Sequence, residues 1–158
     1  MNDQDSANAQ NVSVQAEDWS PRIVAFLCNW CSYAGADLAG GSRIKYPPNV
    51  RIIRVPCSAR IDPKLILKCL EKDVDGVLVS GCHPGDCHYT EGNYYARRRM
   101  LMFRELIEFL GIDPRRVQMS WVSASEGQKW AEVVSEVTAD VRALGPLQPQ
   151  ERSNARDF

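Results

Sequence analysis

The sequence lacks several features that usually point to a function. No basic stretch followed by an apolar one opens the chain, so a secretory leader is not expected. No apolar run nears the ~20 residues of a membrane-spanning helix, so the expectation is a cytoplasmic protein with no membrane partner. A P-loop is missing, and Leu38-Ala-Gly-Gly-Ser42 lacks the GxGxxG spacing of a dinucleotide site. No nucleophile–base pair stands out, which argues against catalysis by the chain alone. Excess charge is also scarce. The 158 residues sum to −1, and residues 1–20 hold four carboxylates without a Lys or Arg, leaving residues 21–145 at about +3. That is too little to argue for nucleic acid.

The two ends are polar. Residues 1–20, rich in Asn, Gln, Ser and carboxylates, read as a disordered acidic N-terminal arm, and residues 146–158 as a polar C-terminal tail. Between them, residues 21–145 alternate short apolar runs with helical patterns. Strands are predicted at 23–27, 50–55, 76–80 and 117–122. Helices are predicted at 32–40, at 63–72 behind the start signal Asp62-Pro63, and at 94–110. A last helix is capped by Ser123 or Ser125, with Glu126 or Gln128 as the capping-box partner. This order predicts an α/β fold: a small open parallel sheet of four strands with helices on both faces, flavodoxin- or Rossmann-like. Right-handed crossovers bring all the strand C-termini to one edge, where open sheets bind ligands.

Cysteine is what the chain has in unusual number. Six of them in a protein expected in a reducing compartment argue for metal binding or thiol redox chemistry rather than disulfides. Cys28, Cys57 and Cys82 each follow a predicted strand, Cys31 lies one turn past Cys28, and Cys87 closes the loop Cys82-His-Pro-Gly-Asp-Cys87. The fold alone would gather Cys28, Cys57 and Cys82, and Cys31 and Cys87 belong to the same loops. Thiolates are soft ligands that suit an iron–sulfur cluster or zinc. Zinc sites usually use more compact paired knuckles, whereas a dithiol–disulfide reading accounts only for Cys28-x2-Cys31. All three readings stay open on spacing. A cluster needs four ligands, so one of the five thiols would be spare. Cys69 sits mid-helix among apolar neighbours and reads as a small buried hydrophobe. His83 and His88 are expected to hydrogen-bond near the sulfurs, with Rieske-like ligation as the alternative. Arg97, Arg98 and Arg99 read either as a solvated face, or as a docking patch for an acidic partner or a counter-charge for the cluster region. Trp30, Tyr33, Tyr89, Tyr94 and Tyr95 flank the thiols.

These strings resemble one family. Phe26-Leu-Cys-Asn-Trp-Cys-Ser-Tyr33, the run from Arg43 to Cys57, Asp75-Gly-Val-Leu-Val-Ser-Gly-Cys-His-Pro-Gly-Asp-Cys-His-Tyr89, Gly92-Asn-Tyr94 and Trp121-Val-Ser-Ala-Ser-Glu-Gly127 are similar to methyl-viologen-reducing hydrogenase delta subunits. The resemblance covers residues 21–146. It implies an electron-transfer subunit of an oxidoreductase complex, carrying one 2Fe–2S cluster on four of Cys28, Cys31, Cys57, Cys82 and Cys87. It further implies a relay between a hydrogenase or formate dehydrogenase and a flavin-containing heterodisulfide-reductase-like A subunit. The alternative expectation is a zinc-stabilised, non-redox adaptor.

Overall fold

A computed structural model describes residues 19–156, so the arm assigned to residues 1–20 lies outside the described residues apart from Trp19 and Ser20. β1 (Ile23–Cys28) is apolar throughout and buried along its whole length, as a central parallel strand must be. It pairs in parallel with β2 (Val50–Val55) on one side and β3 (Gly76–Gly81) on the other, and β4 (Val117–Trp121) pairs with β3. The order β2-β1-β3-β4 confirms the expected open parallel sheet. Strand order reverses between β1 and β3, which makes their C-terminal ends the switch point where such sheets bind ligands.

The period-2 alternation of β1 divides the core. Ile23, Ala25 and Leu27 face one layer with Trp130, Val134 and Val137, while Val24 and Phe26 face the other with Ile66, Phe103 and Ile107. The first layer is covered by α1 (Ser32–Gly41) and α4 (Gly127–Leu144), the second by α2 (Pro63–Glu71) and α3 (Gly92–Phe109). Helices therefore lie on both faces. The start of α2 follows the sequence signal: Pro63 opens it and the Asp62 carboxylate accepts from the Lys64 N–H at 2.9 Å. β2 is an edge strand with Ile52 and Ile53 exposed between Arg51 and Arg54.

Two local features differ from expectation. At α4 no serine hydroxyl caps the helix; instead the Glu126 carboxylate reaches back to the Ser123 N–H at 2.8 Å, which is the acidic half of a capping box alone. The stretch read as a polar tail contains a fifth helix, α5 (Pro149–Arg156), that packs on α2. Leu147 and Ala155 are buried, and Arg152 donates to the buried Asp75 at 3.0 Å. Asp75 also accepts from the Arg22 and Leu147 N–H groups, so one carboxylate ties the start of β1 to the chain leading into α5. Helical periodicity misses α5 because its anchor is this polar network rather than an apolar stripe. Among the described residues no helix is long and apolar enough to cross a membrane.

Candidate metal centre

The five thiols singled out in the sequence come together at the switch point. Cys28 ends β1, Cys31 precedes α1, Cys57 follows β2, and Cys82 and Cys87 lie between β3 and α3. The Cys28 and Cys82 sulfurs are 3.6 Å apart, and the Cys31 thiol lies beside them. Cys57 and Cys87 form a second contact, packed against Gly92 at the first turn of α3. A Cβ at Gly92 would overlap the Cys57 sulfur and stand 3.2 Å from that of Cys87, so only glycine admits both thiols there. Cys28, Cys57 and Cys82 are buried, and Cys31 and Cys87 are half-buried. Cys69 stands apart, half-buried against the α2–α3 core layer.

Backbone N–H groups converge on these sulfurs. Those of Trp30 and Cys31 address Cys28, that of Ala59 addresses Cys57, and that of His88 addresses Cys82. Burial nevertheless dominates at four positions. It raises the Cys28, Cys31 and Cys57 thiols and pushes Cys82 up to about 11. At Cys87 burial also acts upward but is outweighed by the Tyr89, Asn93 and Gly92 N–H groups, and this thiol alone of the five is lowered. Gly92 and Asn93 are the opening residues of α3, so the helix N-terminus favours the Cys87 thiolate.

The side chains around the thiols set the loops rather than the sulfurs. His83 does not bond a sulfur but pairs with Glu126 at 2.7 Å, pinning the Cys82 loop to the start of α4. The Ser123 N–H and then His83 hold the Glu126 carboxyl down to about 2. His88 stacks on Trp30 with ring centroids 3.6 Å apart, and the Trp30 indole donates to the Tyr89 hydroxyl at 3.4 Å. This exposed aromatic lid joins the Cys28–Cys31 turn to the loop after Cys87.

Three positioning residues lay outside the expected ligand set. Gly92 is one. Asn93 is buried and donates its amide to the Cys82 and His83 carbonyls, which fixes the Cys82 loop on α3. Arg99 donates to the Ala59 and Ile61 carbonyls at 2.8 and 2.9 Å, clamping the turn that follows Cys57. Arg99 is thus structural, while Arg98 lies over the Tyr95 ring at the surface. Gly92 and Asn93 stood within one of the strings that carried the family resemblance; Arg99 had no signal beyond its basic run.

An all-sulfur donor set, mostly buried, with N–H groups aimed at it, suits a soft, negatively charged metal–sulfur group. Among the described residues no three or more His, Cys, Asp or Glu side chains surround a single ion position. The sulfurs stand as two adjoining sets, one on the β1/β3 ends and one against α3.

Residues 23–145 match the family model of methyl-viologen-reducing hydrogenase, delta subunit. The chain belongs to this delta-subunit family. The iron–sulfur D subunit of an F420-non-reducing hydrogenase from Archaeoglobus profundus is 52% identical over 84% of this chain and 96% of its own length. The vhc iron–sulfur D subunit of an F420-non-reducing hydrogenase from Methanococcus voltae is 49% identical over 90% and 99%. A third relative is built differently. The A subunit of a ferredoxin/F(420)H(2)-dependent CoB-CoM heterodisulfide reductase from Methanosarcina acetivorans is 49% identical over 80% of this chain but only 16% of its own length. The delta-subunit module there is one part of a much longer polypeptide.

Proposed function

We propose that this chain is an electron-transfer subunit holding one 2Fe–2S cluster on four of Cys28, Cys31, Cys57, Cys82 and Cys87. The observation that carries this reading is the convergence of five thiols from three segments on the switch point, each of them buried or half-buried. Two adjoining sulfur sets suit a two-iron group better than one ion, which favours the cluster over structural zinc. When bound, the cluster would accept and give up one electron at a time.

The chain's own residues make that site selective. Backbone N–H groups stabilise thiolate charge without adding a proton donor that titrates near neutrality. Gly92 admits the Cys57 and Cys87 sulfurs, and the Trp30–His88 stack ties the Cys28–Cys31 turn to the loop after Cys87. The proposed path runs from a hydrogenase- or formate-dehydrogenase-type donor to a flavin-containing heterodisulfide-reductase-like A subunit. The relatives named as hydrogenase subunits support the first half, and the relative named as a heterodisulfide reductase A subunit supports the second.

The test is anaerobic purification followed by iron, acid-labile sulfide and zinc analysis, with visible and EPR spectra. Two irons and two sulfides per chain and a reducible signal are expected. Zinc without sulfide would overturn the relay and leave an adaptor module.

A further inference from the structure

A feature that the relay does not use lies on the outer side of α2 and α3. Most residues of α3 that face the core recur at helical spacing, as Ala96, Met100, Phe103 and Ile107. A second row, Tyr95, Arg98, Met102, Leu106 and Phe109, repeats every three or four residues on its outer side. Met102 is 72% exposed and Phe109 87%, values that no core packing explains. With Pro63 of α2, part of this row lines a mostly apolar groove of about 590 Å³. From Tyr95 to Phe109 the row runs roughly 21 Å, or about four helical turns.

The walls are basic. The groove's lining includes Arg98 and Arg99 and no carboxylate. Among the described residues Arg98 has no carboxylate partner and rests on Tyr95 at the groove's edge. An apolar floor with a basic rim accepts an amphipathic helix that brings carboxylates.

The groove is also joined to the thiol site. Its helix begins at Gly92, against the Cys57 and Cys87 sulfurs, and its Arg99 holds the turn after Cys57. In the Methanosarcina acetivorans relative this module shares one polypeptide with the rest of a heterodisulfide reductase A subunit, so the tether itself keeps the two together. A separate chain needs a surface to do what that tether does.

We propose that the α2–α3 groove is the docking site for an acidic amphipathic helix of the flavin-containing A-type partner. The inference rests on the relay reading above. The test uses the full chain, purified anaerobically, and the A-subunit homologue of the same organism, with affinity measured by biolayer interferometry. Met102→Glu and Arg98→Glu change exposed side chains, so the fold is kept. Glu136→Lys, on the opposite helix layer, is the control.

Each groove variant is expected to weaken binding about 10–100-fold, the worth of one buried Met-sized side chain, with iron and sulfide contents unchanged. The control binds as the unaltered chain does. Full-strength binding by both groove variants overturns the docking site while leaving the cluster in place. Failure of the unaltered chain to bind the A-type partner overturns it as well. Groove-dependent binding by a chain without labile sulfide supports the docking site and sinks the relay instead.

Discussion

Gly92→Ala sets helix propensity against the thiol site, and the structure decides between them. On propensity alone, alanine at the first turn of α3 should stabilise by about 0.4–1 kcal/mol, because it narrows the unfolded ensemble. The position is buried, however, and the new Cβ would overlap the Cys57 sulfur and sit 3.2 Å from that of Cys87. Comfortable separations for non-bonded heavy atoms are about 3.5–4.0 Å, so both sulfurs must give way. Cys57 cannot retreat freely, because Arg99 clamps the turn behind it through the Ala59 and Ile61 carbonyls. Overpacking of this kind costs about 1–3 kcal/mol. The net expectation is a loss of about 1–2 kcal/mol and a sharp fall in iron and labile sulfide per chain. Gly40→Ala is the matched control: it lies in α1, and a Cβ there meets nothing within 4 Å. It should be neutral or stabilising and leave the metal content alone. Urea denaturation of both variants, with iron and sulfide analysis, makes the comparison. A Gly92→Ala protein as stable and as iron-rich as its parent would refute the packing argument.

Asp75→Ala should cost about 3 kcal/mol or more in denaturant unfolding, because it strands Arg152 and removes the acceptor of the Arg22 and Leu147 N–H groups. Asp75→Asn, which keeps the acceptor oxygen, should cost less. Cys69→Ala should leave iron and sulfide at parental levels, whereas single alanine substitutions at four of Cys28, Cys31, Cys57, Cys82 and Cys87 should each lower them. An iron loss at Cys69 would show that the thiol standing apart from the other five belongs to the centre. The side chain and then the N–H of Arg115 hold the Asp113 carboxyl below the ordinary carboxylate range. The stability it adds is therefore fully present above about pH 3.9 and lost as pH falls through its folded value. The pair is partly exposed, so Asp113→Asn should cost under about 1 kcal/mol near neutrality, and thermal melts of the two proteins should converge in strong acid.

What the sequence made legible is what depends on local pattern. Short apolar runs and the Asp62-Pro63 start signal place β1 to β4 and α2 within a residue or two, because burial of a strand in a parallel sheet and a missing proline N–H act over short spans. The same regularity carries Cys28, Cys57 and Cys82 to one edge, since a right-handed parallel sheet leaves no other place for residues that follow its strands. The remaining features depend on contacts between segments far apart in the chain. His83 meets Glu126 across 43 positions, and Arg152 meets Asp75 across 77; no periodicity records either contact. α5 stayed hidden for that reason, and so did the roles of Asn93 and Arg99, which act by donating to backbone carbonyls of other loops. The division of the five sulfurs into two sets also has no counterpart in the spacing. It arises because Cys57 and Cys87 approach α3 at the one residue without a Cβ, and because the N-terminus of that helix lowers the Cys87 thiol while burial raises the other four.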